Sequence, residues 1–191
     1  ETDTENESAN GRLNVGGDYY LSTNSTLSFN LSANLNERDN ESDNRTLMSQ
    51  SDDFILDSIL FAPNVNSVET QNYTFNLNYG YKDTNDRILG VDVDYVNFTS
   101  DKTSYQPNIY KSPDEGIILN QNINFQDTPI DIEVISAKAD YEQPLGEGIV
   151  SFGAKVSEVA THNVFGFFNE VDGIRTLDTS RSNTFDYDET I

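Results

Sequence analysis

The stretch Leu27–Asn36 reads LSFNLSANLN. Leu27, Phe29, Leu31, Ala33 and Leu35 take every second position, and Ser28, Asn30, Ser32, Asn34 and Asn36 fill the gaps. Extended backbone sends successive side chains to opposite faces, so this order builds a strand with one apolar face and one face of small, uncharged polar groups. Helical winding would scatter the same residues around an axis.

The pattern recurs along the chain. Tyr73, Phe75, Leu77, Tyr79 and Tyr81 alternate with Asn, Thr and Gly, and Leu89, Val91, Val93 and Tyr95 alternate with Gly90, Asp92 and Asp94. Ala137, Ala139 and Tyr141, then Val150, Phe152, Ala154 and Val156, repeat it, and Leu13, Val15, Gly17, Tyr19 and Leu21 precede it. A change of phase near Val134 and Ile135 predicts a β-bulge. Asp52–Phe61 (DDFILDSILF) carries some helical spacing and is expected to be a short loop helix or turn.

The connections point the same way. Ser22–Thr26, Lys82–Arg87 and Gln143–Gly148 are short and hold the Asn, Asp, Gly and Pro of tight hairpins. They alternate with long acidic segments at roughly 37–71, 100–128 and 159–183. In an antiparallel up-and-down meander this puts every short turn at one end and every long loop at the other, as in transmembrane barrels with short periplasmic turns and long external loops. Strands of about 9–11 residues suit a tilted bilayer crossing. Tyr19, Tyr20, Tyr79, Tyr81 and Tyr141 fall beside the short turns, where an interfacial aromatic girdle belongs, with Tyr73, Tyr95, Phe98, Phe165 and Phe167 as its upper counterpart. The expected fold is all-β: six to seven strands spanning residues 1–191, part of a large transmembrane β-barrel. A soluble cell-surface β-sandwich binding glycan or Ca²⁺ is the alternative.

Composition narrows the function classes. The 191 residues carry 33 acidic and 11 basic side chains, a formal net charge of −22. Such a charge repels nucleic-acid phosphates and favours cations and basic ligands. Cysteine is absent and His162 is the single histidine, which excludes Cys-based zinc sites and multi-His metal centres within the chain. The polar opening at Glu1 and the new strand-like pattern from Phe185 to Ile191 read as the ends of a fragment.

Three hairpin-like segments resemble a family. GGDYYLSTNSTLSFNLSANLNERDN (16–40), NYTFNLNYGYKDTNDRILGVDVDYVNF (72–98) and ISAKADYEQPLGEGIVSFGAKVS (135–157), followed by FDYDETI (185–191), resemble the outer-membrane protein β-barrel of TonB-dependent receptors. The resemblance runs from about Gly11 to Ile191 and marks hairpins rather than a reaction. It implies a parent barrel closed by a plug domain in the outer membrane of a Gram-negative bacterium. Such a barrel takes up metal chelates or glycans with the TonB complex and in some cases a surface lipoprotein. No plug and no TonB box are recognisable in these residues.

Candidate site residues follow from the strand faces. Asp92, Asp94, Lys138, Asp140 and Lys155 lie on polar faces and are expected to line a lumen, as ordinary solvation or as salt bridges. Tyr105, Tyr110, Phe125, Phe165 and Phe168 lie in the long connections as candidate ligand-stacking groups. The acids of 37–57 (Glu37, Asp39, Glu41, Asp43, Asp52, Asp53 and Asp57) are first a solvated loop and second a Ca²⁺ site, since no EF-hand spacing is present. Asn169–Gly173 (NEVDG) reads as a turn before a metal site. His162 has no nucleophile partner recognisable in sequence, and no carboxylate pair stands out for glycoside hydrolysis. The expectation is a non-enzyme without a cofactor. The sequons at Asn24, Asn30, Asn72 and Asn97 reflect asparagine richness.

Overall fold

The computed structural model describes residues 1–49 and 55–191. They form one antiparallel sheet of ten strands: β1 (Thr2–Tyr20), β2 (Ser25–Ser49), β3 (Leu56–Phe61), β4 (Asn64–Lys82), β5 (Ile88–Lys111), β6 (Ile118–Asp127), β7 (Ile130–Leu145), β8 (Gly148–Val171), β9 (Ile174–Leu177) and β10 (Asn183–Thr190). There is no second sheet among the described residues, so a β-sandwich is not the architecture.

Three of the ten strands continue another. β3 and β4 both pair with β2 on one side and β5 on the other, in one unbroken register (Arg45↔Phe61 leading on to Ser42↔Asn64). Ala62 and Pro63 interrupt them, as expected where proline offers no N–H to a ladder. β6 and β7 likewise share register against β5 and β8, broken at Thr128–Pro129. β9 and β10 both pair with β8, but their registers differ by three residues because 178–182 bulges out between them. The sheet is therefore seven lanes in sequence order, an up-and-down meander.

The long loops expected from sequence are strand. β2, β5 and β8 run for 25, 24 and 24 residues. At about 3.3 Å per residue, 25 residues extend about 80 Å, far more than the 9–11 that cross a bilayer. The sheet continues beyond the membrane as an extension, and the β8–β9 hairpin at its tip is tight. Asp172 and Gly173, both at positive φ (52° and 75°), turn β8 into β9, so NEVDG is a turn. At the opposite end Gly146, φ 63°, turns β7 into β8. The expected helix at Asp52–Phe61 is corrected over Leu56–Phe61. That segment is β3, hydrogen-bonded on both sides, and Asp52, Asp53 and Phe54 lie outside the described residues. The bulge expected at Val134–Ile135 is absent. β7 keeps one register with both neighbours, and the phase change arises because Ile132 and Val134 put apolar groups on the otherwise polar face.

Burial is inverted relative to a soluble domain. Among the described residues only Ile59 and Phe167 form a buried apolar core, while Phe29, Leu31 and Leu35 are 45%, 42% and 46% exposed. Their polar neighbours on β2, Asn30, Ser32, Asn34 and Asn36, are half-buried. Register joins the exposed side chains into rows across the lanes, such as Val15–Leu31–Phe75–Tyr95–Ile135 and Phe29–Leu77–Val93–Ala137–Val156. Each apolar group left in water forfeits about 25 cal/mol per Å² of burial, so a belt this continuous belongs against lipid. Tyr19, Tyr79, Tyr81 and Tyr141 edge the belt at the short-turn end, and Tyr73 and Tyr95 lie at its other border. Tyr20, Phe98, Phe165 and Phe167 fall on the opposite face and leave the girdle.

The short turns carry their own charge chemistry. The Asp83 carboxylate accepts hydrogen bonds from the Arg87 and Asn85 backbone N–H groups at 2.9 and 2.8 Å. The Arg87 contact leads in holding its pKa below the ordinary carboxylate range. A depressed folded pKa adds stability above the unfolded value of about 3.9, lost as pH falls through the folded value. Amide-exchange protection in 83–88 is therefore expected to drop on acidification below about pH 4 and to lose that pH dependence in Asp83→Asn. Protection in Asp83→Asn that still follows pH as in the parent protein would remove the carboxylate from this account.

Candidate functional site: the polar face of the sheet

At the height of the apolar belt the other face is a polar ladder. Asp92 of β5 lies opposite Asn78 of β4 and Lys138 of β7, and Lys138 lies opposite Lys155 of β8. One row along, Asp94 lies between Asn76 and Ser136. Asn78 donates Nδ2–H to Asp92 Oδ1 at 2.6 Å, and Asn76 donates to Asp94 Oδ1 at 2.7 Å. The Ser136 hydroxyl reaches Asp94 Oδ2 at 3.2 Å, and Lys138 Nζ meets Asp140 Oδ2 at 2.5 Å. The five expected lumen residues thus share one face, and four of them are held in hydrogen bonds or an ion pair. Among the described residues Lys155 has no ion-pair partner. Gly153 keeps the ladder close: a Cβ there would meet Asp140 Oδ1 at 2.4 Å and the Ala139 carbonyl at 3.1 Å.

The five aromatics expected to stack on a ligand do not converge. Tyr105, Phe125 and Phe168 stand in register on the outward face of the extension, the side continuous with the lipid belt. Phe125 and Phe168 pack at 5.9 Å between ring centroids, and the Arg175 guanidinium lies 3.9 Å over Phe125 and 5.8 Å from Tyr105. Glu170 Oε2 accepts from Arg175 Nε at 2.9 Å. This cluster cross-links β5, β6, β8 and β9. Tyr110 and Phe165 sit on the polar face, apart from it and from each other.

The extension sorts its charges by face, which the sequence reading missed. The segment NERDNESDN (36–44) lies within β2, so Glu37, Asp39, Glu41 and Asp43 point outward while Asn36, Arg38, Asn40, Ser42 and Asn44 point to the polar face. Outward carboxylates face each other directly, as in Glu5↔Glu41, Glu7↔Asp39, Glu37↔Glu69 and Glu69↔Asp101. Opposed like charges cost stability. A groove of about 410 Å³ on this outward side is lined by Asp131, Glu133, Asp186 and Asp188, with His162 bonded to Asp186. Among the described residues no three acidic or histidine groups are arranged to hold a metal ion.

The inward wall of the extension is the opposite. Its strand positions beyond the row Thr74–Val96–Val134–Val159–Glu189 carry no Asp or Glu. They carry Asn and Ser, the cations Arg12, Arg38 and Lys102, and the facing apolar pair Phe98 and Ile132, while Tyr187, beyond Thr161, donates its hydroxyl to Glu189. Arg38 and Lys102 flank Val68 across three lanes, and among the described residues neither has an ion-pair partner. The Asn72, Asn124 and Asn163 side-chain oxygens on this face are buried and have no hydrogen-bond partner among the described residues. Asp178 in the bulge accepts from Ser180 at 2.6 Å and from Asn169 at 3.3 Å. The sequence signal of these strands is an amide–acid alternation of period two rather than an alternation of hydropathy.

A family comparison fits this architecture. The model of the outer membrane protein beta-barrel family matches residues 82–191, more than half of the chain, and the chain belongs to that family. It is a β-barrel protein of the outer membrane of Gram-negative bacteria. No curated protein matches it.

Proposed function

We propose that residues 1–191 are part of the barrel of a TonB-dependent receptor that takes up nutrients. The observation that supports this is the polar ladder at lipid height. Asp92, Asp94, Lys138 and Asp140 lie level with the apolar belt but on the other face. Ionised groups at that depth need water or protein behind them, so the ladder suits the lining of a wide, wet interior. Seven lanes with β1 and β10 as the sheet edges are fewer than the 8 strands of the smallest membrane barrels, so further strands of the parent protein would complete the wall. In this reading a plug domain fills the interior, outer-membrane lipid surrounds the belt, and a surface lipoprotein is a possible outside partner. No reaction is assigned to the chain, and no cofactor.

The test uses the full-length protein in liposomes. Capture by the periplasmic domain of TonB together with low resting conductance is the expected result. A steady open conductance with no TonB capture describes a passive porin and would overturn the reading.

A further inference from the structure

The two faces of the extension differ in charge in a way that selects a solute. In a chain of net charge −22, carboxylates crowd the outward side while the inward strand positions beyond Glu189 hold none. Walls that bind neutral sugars tolerate Asp and Glu, whose oxygens accept hydroxyl protons well. A wall free of them, with Arg38 and Lys102 exposed and unpaired among the described residues, suits a bound anion. The outward carboxylates add a field that repels anions from the flank of the extension and leaves its interior as the less repulsive place.

Two further features define the rest of the ligand. The amides of Asn10 and Asn36, opposite each other on β1 and β2, present both donors and acceptors, which match hydroxyl groups in either orientation. Further across the same wall Phe98 and Ile132, opposite each other on β5 and β7, offer an apolar surface to a ring. Amides, an apolar patch and spaced cations together describe a hydroxyl-rich ring compound bearing negative charge. Arg38 and Lys102 lie two lanes apart, about 10 Å at the usual strand spacing, so a chain of several rings can reach both.

We infer that the inward wall of the extension binds an acidic oligosaccharide. This rests on the uptake reading above and narrows its substrate class. The experiment is equilibrium binding to the full-length protein in detergent, with galacturonate oligomers and a sulfated oligosaccharide as acidic probes and galactose oligomers of equal length as the neutral one. At least one acidic probe is expected to bind about tenfold tighter than the neutral probe, with affinity falling as salt rises. Arg38→Gln with Lys102→Gln should lose about tenfold of that affinity, while heat-modifiable mobility, which reports an intact barrel, stays unchanged. Equal or preferential binding of the neutral oligomer, no binding of any probe, or no loss in the double variant would overturn the inference. Binding in detergent needs no TonB. A protein that prefers the acidic probe but ignores TonB loses the uptake reading alone, and one that engages TonB but shows no acidic preference loses this inference alone.

Discussion

Phe29→Lys in the full-length protein is expected to abolish most assembly into the outer membrane. Phe29 sits in the middle row of the apolar belt, between Gly17 and Leu77, with its ring 45% exposed. A lysine near the midplane of a barrel's lipid face costs roughly 2–4 kcal/mol. Against a typical stability of about 5–15 kcal/mol that is a large share. The neighbouring substitution Asn30→Lys turns the same charge to the polar face and should assemble nearly as well as the parent protein. The comparison is the amount of heat-modifiable protein in the membrane fraction. Equal loss from both variants would mean that the two faces do not differ in environment.

Phe167→Ala is expected to have the second-largest effect, confined to the extension. Phe167 is one of two buried apolar side chains among the described residues, 3% exposed, with the Arg181 guanidinium 3.5 Å over its ring. Its backbone also anchors the 178–182 bulge: Phe167 N–H donates to the Ser182 hydroxyl at 2.9 Å and its carbonyl accepts from Asp178 N–H at 2.8 Å. Truncating a buried phenylalanine costs about 3–5 kcal/mol, and the cation–π contact goes with it. Because the bulge is the point where β9 and β10 lose common register, amide exchange there should speed up strongly while the lipid-belt strands keep their protection. Unchanged exchange across 178–182 would show that the ring does not hold the bulge.

The sequence disclosed the parts of the sheet where lipid imposes a hydropathy difference between faces. Leu27–Leu35 and Tyr73–Tyr81 alternate cleanly because one side meets hydrocarbon and the other water. The same lanes vanish from a hydropathy reading once they leave the membrane. In 36–44 both faces are wet, so the strand signal survives only as acids against amides, and those residues read as loop. Leu56–Phe61 misled for a related reason: with Ile59, Leu60 and Phe61 adjacent, apolar groups fall on both faces and the period is lost. The lumen-side acids were legible because each sits between apolar neighbours, as Asp92 and Asp94 do between Val91, Val93 and Tyr95. The aromatic candidates were not, because Tyr105, Phe125 and Phe168 come from three strands, and only register shows that they meet on the outward face while Tyr110 and Phe165 do not. The net charge of −22 says nothing of which face carries it, and only register shows that the extension turns most of its acids outward.

The most direct test of two unlike faces uses the absence of native cysteine in this chain. Leu77→Cys and Asn76→Cys, adjacent on β4, are labelled with a fluorophore in the full-length protein in liposomes and exposed to lipid-dissolved and water-dissolved quenchers. The account predicts that the label at 77 responds to the lipid quencher alone and the label at 76 to the aqueous one. Two labels that both respond to the aqueous quencher, or that both respond to neither, would contradict it.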